Sequence, residues 1–337
     1  MKLLIVWPEF ALCAGVIAAA GSRLSRYGDV IADKTGLSGS LVGLVLLATV
    51  TSLPELITGL ASVALVGAPD IAVGNVLGAC VMNLGMIVVL DFLHREESVY
   101  TRASHGHILS AAFGIMLLGF VALNLLLAGR GIRLAVGSVG LYSPLIVALY
   151  LFALRVVYNH ERRQTEQFIE ELAERYPDLT LRQAAIRYAL AASVVIGAAL
   201  WLPFVARRLA AAMHWNETFV GTLFVSLATT LPEIAVTVAA LRLGALDMAI
   251  GNLFGSNLFN LAILAVDDAF FLEGPLLSHV SQAHALSALS GIIMTGLAIV
   301  GLLYRPRGRV LGTVGWVSVM LAWIWFSNAY ILYRHGS

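Results

Sequence analysis

Residues Thr51–Glu55 read Thr-Ser-Leu-Pro-Glu inside a long apolar run, and this pentapeptide decides how the rest of the chain is interpreted. It places two hydroxyls, a proline and a carboxylate where a membrane span would otherwise be apolar. Residues Thr229–Glu233 repeat it as Thr-Thr-Leu-Pro-Glu, 178 positions later. A charged side chain near the bilayer centre costs about 3 kcal/mol, so two of them in matching frames indicate function. We expect the two segments to form one shared cation site.

Composition places this pentapeptide in a membrane protein. The chain has 337 residues, of which 59% are hydrophobic and 12% are charged, against about 25% charged in soluble proteins. We predict an all-α membrane protein of about ten transmembrane helices, whose surroundings are the lipid bilayer. The predicted spans are 3–21, 37–66, 70–93, 106–128, 132–154, 185–206, 216–241, 247–266, 282–304 and 309–333. No basic block or motif supports binding of nucleic acid, and no protein partner is implied.

An internal repeat extends beyond the pentapeptide. Residues Asp70–Asn75 match Asp247–Asn252 at an offset of 177, and Gly78 and Asn83 match Gly255 and Asn260. Spans two and three therefore correspond to spans seven and eight. A shift of five spans reverses the direction of crossing, so the halves are predicted to be inverted five-helix repeats with a midplane site between them.

The domain prediction follows from this repeat. The first half is 1–154, with a repeat core at about 38–92, and the second half is 185–337, with a repeat core at about 216–266. Between them, 155–184 is predicted to be a polar linker with a short amphipathic helix at the membrane surface. Fifteen of the twenty-one Lys and Arg residues fall on one side if the N-terminus is outside. This bias predicts both termini outside and the 155–184 loop in the cytoplasm.

The residues of the repeat offer oxygen donors. Pro54 and Pro232 each remove a helical hydrogen bond, which frees main-chain carbonyls for a bound cation. Thr51 and Glu55 share a helix face, and the matching pair in the second half does the same. Asn75 and Asn83 form an amide stripe on the next span, with Asn252, Ser256 and Asn260 as its counterpart. Because none of these donors is Cys or His, Ca²⁺ and Na⁺ are favoured over zinc or copper.

Other polar residues have simpler explanations. The pairs Gly74/Gly78 and Gly251/Gly255 are typical of close helix packing. Asp70 and Asp247 begin spans, where a role at the helix N-terminus is expected. A further group of acids near span ends is expected at the membrane interface: Glu9, Asp91, Asp267, Asp268 and Glu273. Cys13 and Cys80 are expected to pack as small apolar side chains.

At these residues the chain resembles the calcium:cation antiporter superfamily, whose best-known branch is the sodium/calcium exchangers. The resemblance rests on the two Thr-Ser/Thr-Leu-Pro-Glu segments and the two Gly-Asn-x-x-Gly helices, and it extends to the ten-span plan. It implies antiport of Ca²⁺ by alternating access, no resident cofactor, no enzymatic activity and a location in the cell (inner) membrane. The implied ion ligands are Ala48, Thr51, Ser52, Glu55, Asn83, Ser226, Thr229, Thr230, Glu233, Ser256 and Asn260, with Ala48 and Ser226 contributing main-chain carbonyls.

The sequence departs from the family pattern at positions that affect the counter-ion. Ala79 stands where the family usually has a serine, and Asn260 stands where many sodium-coupled members have aspartate. Glu55 and Glu233 together supply two negative charges, which one Ca²⁺, two Na⁺ or two protons neutralise. Exchange of Ca²⁺ for Na⁺ is the first prediction, and exchange of Ca²⁺ or another divalent cation for H⁺ is the alternative. A cation channel is a more remote alternative, because a channel does not need acids that must be neutralised before movement.

Overall fold

The structure is a computed structural model that describes residues 2–35, 50–94, 97–165, 179–306, 308–310 and 312–335. In the first half, two helices are interrupted or short and four are long. The helices of this half are α1 Lys2–Lys34, α2 Leu53–Ala61, α3 Pro69–Leu93, α4 Val99–Arg102, α5 His107–Gly129 and α6 Tyr142–Thr165. A π-helical turn, Ser62–Val66, extends α2, and a small antiparallel hairpin of β1 Ala135–Val136 and β2 Val139–Gly140 separates α5 from α6.

The second half repeats this order of elements. Its helices are α7 Leu181–Met213, α8 Glu217–Phe219, α9 Ser226–Arg242, α10 Leu246–Phe270, α11 His284–Tyr304 and α12 Trp316–His335. A π-helical segment, Val220–Val225, joins α8 to α9, a 3₁₀ turn at Leu276–Ser278 precedes α11, and the hairpin of β3 Arg309–Val310 and β4 Val314–Gly315 precedes α12.

The predicted fold class is confirmed. Within the described ranges, nine helices are long and apolar enough to cross a membrane. The predicted second span, 37–66, is described from Val50 onward, where it contains the apolar helical stretch Leu53–Val66. The chain is thus an all-α multi-pass membrane protein of two inverted five-helix repeats.

The polar linker between the halves is shorter than its predicted limits. Helix α6 continues to Thr165, and α7 begins at Leu181. The start of α7 is fixed by a capping box, in which Thr180 and Gln183 each accept a hydrogen bond from the other's backbone N–H at 3.2 Å. Such reciprocal capping satisfies donors that a helix N-terminus leaves unpaired. The amphipathic helix predicted within this linker falls mostly on residues 166–178, which lie outside the described residues.

Helices α3 and α10 form the centre of the molecule and are the most enclosed of the spanning helices. Gly74 and Gly78 on α3 lie against the π-helical segment that precedes α9. A Cβ atom at Gly78 would lie within 2.7 Å of the Ser226 Oγ atom, and one at Gly74 would lie 2.9 Å from the Thr222 backbone nitrogen. These glycines therefore admit a close backbone approach between the two repeats.

The ends of α3 and α10 are fastened by equivalent aspartates. Asp91 accepts hydrogen bonds from its own half, through Ser98 and Val99, and from the other half, through the Gly315 N–H and the Ser318 hydroxyl, both at 2.7 Å. Asp268 likewise accepts four hydrogen bonds, from the Gly140 N–H at 2.8 Å, the Tyr142 hydroxyl at 2.6 Å, the Ser143 hydroxyl at 2.5 Å and the Leu276 N–H at 2.7 Å.

Three of the acids expected at the membrane interface lie near the ends of α3 and α10, where protein encloses them. Asp91, Asp267 and Asp268 are all 0% exposed. Asp91 and Asp268 tolerate burial because four donors surround each carboxylate, which replaces the lost hydration. Each of these two carboxylates also bonds residues of the opposite repeat, so they join the halves at the two ends of the central helix pair.

Candidate ion-binding site

The two Pro-Glu segments have different local backbones. In the first repeat, α2 begins after Ser52, with Pro54 in its first turn, where a missing N–H is tolerated. Glu55 also lies in this first turn, where the positive end of the helix dipole favours a carboxylate. In the second repeat, α9 continues from Ser226 through Pro232, and the irregular segment is the π-helix immediately before it. The helix interruption predicted at Pro232 is therefore displaced upstream to Val220–Val225.

The carboxylates of the two segments each receive a hydroxyl from the opposite repeat. The Ser52 hydroxyl donates to Oε1 of Glu233 at 3.3 Å, and the Thr230 hydroxyl donates to Oε1 of Glu55 at 3.3 Å. Glu55 is 0% exposed and Glu233 is 1% exposed. Because Ser52 and Thr230 are equivalent positions, as are the two glutamates, the contacts form a symmetric crossed pair that brings both acids into one cluster.

Asn75 on α3 connects this cluster to both repeats. Its Nδ2 atom donates to the Glu55 carbonyl at 3.2 Å, and its Oδ1 atom accepts from the Thr229 hydroxyl at 2.9 Å. The same hydroxyl lies 3.1 Å from the Ser226 carbonyl. Asn75 therefore orients the backbone of one pentapeptide and a side chain of the other. Its counterpart, Asn252, donates instead to the Thr237 hydroxyl at 3.1 Å.

Several buried oxygens of the predicted ligands have no hydrogen-bond partner among the described residues. They are Oε2 of Glu55, Oε2 of Glu233, Oγ of Ser256, Oδ1 of Asn83 and Oδ1 of Asn260. An unsatisfied buried polar atom costs about 1–3 kcal/mol, so such atoms are rare in native proteins. Carboxylate, amide and hydroxyl oxygens are the donors that hard cations prefer. The donor set therefore fits a bound cation.

The structure links part of the predicted ligand set by hydrogen bonds and buries its other described members. Hydrogen bonds link Ser52, Thr230 and the two glutamates directly, and they link Thr229 through Asn75. Each described member of the predicted set other than Glu55 and Glu233 is at most 2% exposed: Thr51, Ser52, Asn83, Ser226, Thr229, Thr230, Ser256 and Asn260. Ser226 directs its hydroxyl to the Thr222 carbonyl at 2.5 Å. Ala48 lies outside the described residues.

Sequence reasoning missed Asn257, which joins the central helices. Its Oδ1 atom accepts from Asn83 Nδ2 at 3.0 Å, and its Nδ2 atom donates to the Cys80 carbonyl at 3.3 Å. The Cys80 thiol donates in turn to the Asn257 carbonyl at 3.8 Å. Cys80 and Asn257 are 177 positions apart, so α3 and α10 meet at equivalent positions of the repeat. The repeat offset could have identified this pair.

Two histidines were also missed as partners of the span-starting aspartates. Asp70 and Asp247 lie in the first turns of α3 and α10, as expected. Their carboxylates, however, bond across the repeats. Asp70 Oδ1 lies 2.9 Å from Nε2 of His284, and Asp247 Oδ1 lies 3.0 Å from Nε2 of His107. The two histidines are again 177 positions apart.

Inverted membrane repeats that meet at buried polar groups are typical of secondary transporters. A family model described as sodium/calcium exchanger protein matches residues 5–158 and 184–334. The chain therefore belongs to the sodium/calcium exchanger family, which consists of transporters and not of enzymes.

Named relatives extend over most of the chain. The chain is 29% identical over 264 residues to the inner membrane protein YrbG of Escherichia coli. The aligned residues make up 77% of this chain and 78% of the relative. It is 27% identical over 239 residues to the putative antiporter CaxA of Alkalimonas amylolytica, with 70% of this chain and 72% of the relative covered. It is 26% identical over 286 residues to the sodium/calcium exchanger MaX1 of Methanosarcina acetivorans, with coverage of 72% and 77%.

Solved structures share the fold. The sodium-calcium exchanger NCX_Mj superposes with a TM-score of 0.62 at 20% identity, covering 98% of this chain and 99% of that chain. The H⁺/Ca²⁺ exchanger CAX superposes with a TM-score of 0.64 at 14% identity, covering 98% and 88%. At these identities the likeness concerns the fold alone.

Proposed function

We propose that this chain is a secondary active antiporter that exchanges Ca²⁺ for Na⁺ by alternating access. In this proposal, Glu55 and Glu233 are shared ligands of the transported ions near the bilayer midplane. The remaining proposed ligands are the other predicted residues, namely Ala48, Thr51, Ser52, Asn83, Ser226, Thr229, Thr230, Ser256 and Asn260. The family and the relatives named antiporter and sodium/calcium exchanger support this class of activity.

The crossed hydroxyl–carboxylate pair is the observation that carries the proposal. Ser52 reaches Glu233 and Thr230 reaches Glu55, each at 3.3 Å. Each carboxylate thus uses one oxygen for the opposite repeat and has a second oxygen, Oε2, with no partner among the described residues. Two such carboxylates from opposite repeats supply the charge that balances a single Ca²⁺, and their free oxygens supply two of the about six to eight oxygen ligands that Ca²⁺ takes.

Charge balance explains how binding is coupled to movement. Two ionised carboxylates in a buried site are unstable unless cations or protons neutralise them. When the site is empty, its two negative charges disfavour the transition between the inward-open and outward-open conformations. When it holds one Ca²⁺ or two monovalent cations, the site is neutral and the transition is allowed. Influx of one ion then depends on efflux of the other. A channel does not need such neutralisation.

H⁺ as the counter-ion is a second candidate, and one observation favours it. Ala79 is fully buried on the ligand-bearing helix α3 and offers no side-chain oxygen. Additional Na⁺ beyond the two that neutralise the glutamates would therefore have fewer oxygen ligands. Protons need only the carboxylates themselves.

The test is uptake of radiolabelled Ca²⁺ into proteoliposomes that contain the purified protein. An outward Na⁺ gradient and a proton gradient are applied separately, with a Glu273→Gln variant as the control because that carboxylate is exposed. Uptake driven by Na⁺ supports the first proposal, and uptake driven by protons alone supports the second. Absence of uptake under both gradients contradicts antiport, and a steady ion conductance without counter-flow supports a channel instead.

The membrane arrangement belongs to the same proposal. We propose that both termini lie outside, that the loop within 155–184 is cytoplasmic, and that the halves are 1–154 and 185–337. The bias of basic residues supports this orientation, and the relative from Escherichia coli that is named an inner membrane protein supports a location in the inner membrane.

A further inference from the structure

Asp267 is a buried acid that the proposed ion site does not use. It lies near the C-terminal end of α10, is 0% exposed, and has no hydrogen-bond partner for either carboxylate oxygen among the described residues. Its neighbour Asp268 is equally buried but is surrounded by four donors. Asp267 thus differs from Asp268 because nothing in the described part of the chain compensates for its charge.

The carboxylate of Asp267 fits into space that a glycine leaves on the opposite repeat. A Cβ atom at Gly59 would lie 2.5 Å from Oδ2 and 2.7 Å from Oδ1 of Asp267. Gly59 lies on α2, one helical turn after Glu55, which is about 6 Å along the helix axis. Any side chain at this position would displace the carboxylate.

Asp267 lies on the same side of α10 as two of the predicted ion ligands. Ser256, Asn260 and Asp267 are spaced by four and seven residues, which places them on one side of the helix. All three have buried side-chain polar atoms with no partner among the described residues. Asp267 lies about 16 Å along the helix axis from Ser256, and the turn before it presents the buried apolar side chains of Ile263 and Leu264.

The repeat does not require an acid here. The position equivalent to Asp267 in the first repeat is Leu90, which is buried in an apolar cluster, and the position equivalent to Gly59 in the second repeat is Thr237. Of the two symmetry-related contacts between the repeats, only one therefore pairs a carboxylate with a glycine.

We propose that Asp267 is a proton-binding site, separate from the central carboxylate pair, on the path between that pair and the membrane face where α10 ends. A single buried carboxylate is neutralised by one monovalent cation. A proton suits this site better than Na⁺, because Na⁺ would need several further oxygen ligands. The carboxylate takes up one H⁺ to become a neutral acid, and it returns that H⁺ to water when α2 and α10 separate.

The ionisable surroundings are few. On α10 itself the neighbour is Asp268, whose oxygens are held by donors from the β2–α6 region and the 3₁₀ turn. On α6 it is Tyr142, which bonds Asp268. On α2 it is Glu55, one turn from Gly59. At the end of the π-helical turn that follows α2, Arg207 of α7 donates to the Val66 carbonyl at 2.7 Å.

This inference rests on the proposed exchange function. Two measurements distinguish a failure of the proton-binding proposal from a failure of the exchange function. The first is the infrared C=O band of a protonated carboxylic acid in the purified full-length protein at neutral pH, which should be present in the wild type and lost in Asp267→Asn. The second is the pH dependence of Ca²⁺ uptake into proteoliposomes. In the wild type, we expect the rate of Ca²⁺ uptake to differ between mildly acidic and mildly alkaline pH. This difference should shrink several-fold in Asp267→Asn and stay unchanged in Glu273→Gln.

The outcomes are distinct. Absence of a band assignable to Asp267 in the wild type overturns the proposal. A band that is lost in the variant, together with an unchanged pH profile, also overturns it, because the acid would then be a buried structural group. Absence of Ca²⁺ uptake in the wild type overturns the exchange function, and the infrared band alone then judges whether Asp267 binds a proton. If Asp267→Asn does not fold, Asp267→Leu, which introduces the residue found at the equivalent position, is measured in the same way.

Discussion

Oδ1 of Asp70, in the first repeat, lies 2.9 Å from Nε2 of His284 in the second, and the reverse pair, Asp247 and His107, is separated by 3.0 Å. Each aspartate also accepts a backbone N–H from the residue three positions before its histidine, both at 2.7 Å, from Ser281 and Ser104 respectively. The two pairs lie at the first turns of α3 and α10. They therefore tie the repeats together at opposite ends of the central helix pair.

Replacing His284 with Phe should destabilise the protein more than the same change at His107. The His284 side chain is 0% exposed and Asp70 is 27% exposed, whereas His107 is 9% exposed and Asp247 is 59% exposed. Loss of a buried partner to a carboxylate costs about 1.5–3 kcal/mol, and an exposed carboxylate recovers hydration. Thermal unfolding of the purified protein in detergent measures the difference. An equal loss in the two variants would contradict this ranking.

Removal of either central charge should abolish Ca²⁺ transport. Glu55→Gln or Glu233→Gln leaves one negative charge, which cannot balance a divalent cation in a buried site. Radiolabelled Ca²⁺ uptake into proteoliposomes measures this, with size-exclusion profiles as the check on folding. Glu273→Gln, which changes an exposed carboxylate, should transport at the wild-type rate. Transport that persists in both single variants would contradict a shared site.

Removal of the crossed hydroxyls should weaken Ca²⁺ binding by similar amounts in the two repeats. Ser52→Ala and Thr230→Val each delete a hydroxyl that is a proposed ion ligand, and a polar contact to a charged group is worth about 1.5 kcal/mol or more. We expect a loss of about ten-fold in affinity for each variant. Calorimetric titration with Ca²⁺ measures it. A loss confined to one of the two variants would show that the cross-repeat contacts are not functionally equivalent.

Asn260→Asp should change the Na⁺ dependence of transport. The substitution converts an unpartnered buried amide into a carboxylate, the third in the proposed site. The added negative charge attracts a monovalent cation. The Na⁺ concentration for half-maximal Ca²⁺ exchange should fall by about ten-fold, equivalent to about 1.4 kcal/mol. Asn124→Asp on α5, where the amide bonds the Phe120 carbonyl, is the matched control. An unchanged Na⁺ profile would exclude Asn260 as an ion ligand.

The two ends of α10 should react with reagents from opposite sides of the membrane. Leu243 and Leu272 flank this helix, and each is 82% exposed. In inside-out and right-side-out vesicles, Leu243→Cys should react with a membrane-impermeant thiol reagent from the cytoplasmic side and Leu272→Cys from the outside. The native Cys13 and Cys80 are buried and serve as an internal background. Reversed labelling would show that the termini face the cytoplasm.

The pairing of the two glutamates could be predicted from the sequence because both repeats carry the same residue types in the same order. Two pentapeptides with the same order of hydroxyl, proline and carboxylate predicted that Glu55 and Glu233 belong together, and an odd shift of spans predicted inversion. The crossed contacts of Ser52 and Thr230 are a consequence of that inversion, although the sequence does not say which hydroxyl faces which acid.

Other features depend on packing that local sequence does not encode. Asp91 and Asp268 end their helices as interfacial acids would, and only the folded hairpins bring the donors that bury them. No proline lies in the π-helical segment before α9, so the sequence contains no clear sign that the α-helix is interrupted there. Pro232, which was expected to interrupt this span, lies instead within α9. Asp267 could not be distinguished from Asp268 because the contact with Gly59 comes from the opposite repeat.

Asp267 and Leu90 occupy the same position of the two repeats, and so do Asn257 and Cys80. If the halves were identical in sequence, a two-fold axis in the membrane plane would relate the inward-open and outward-open conformations of the proposed cycle, and their free energies would be equal. Substitutions at equivalent positions remove this degeneracy, since each conformation packs a different set of side chains at the same contact. In the proposed exchange cycle the two conformations therefore differ in free energy, and the non-matching positions of the two repeats set that difference.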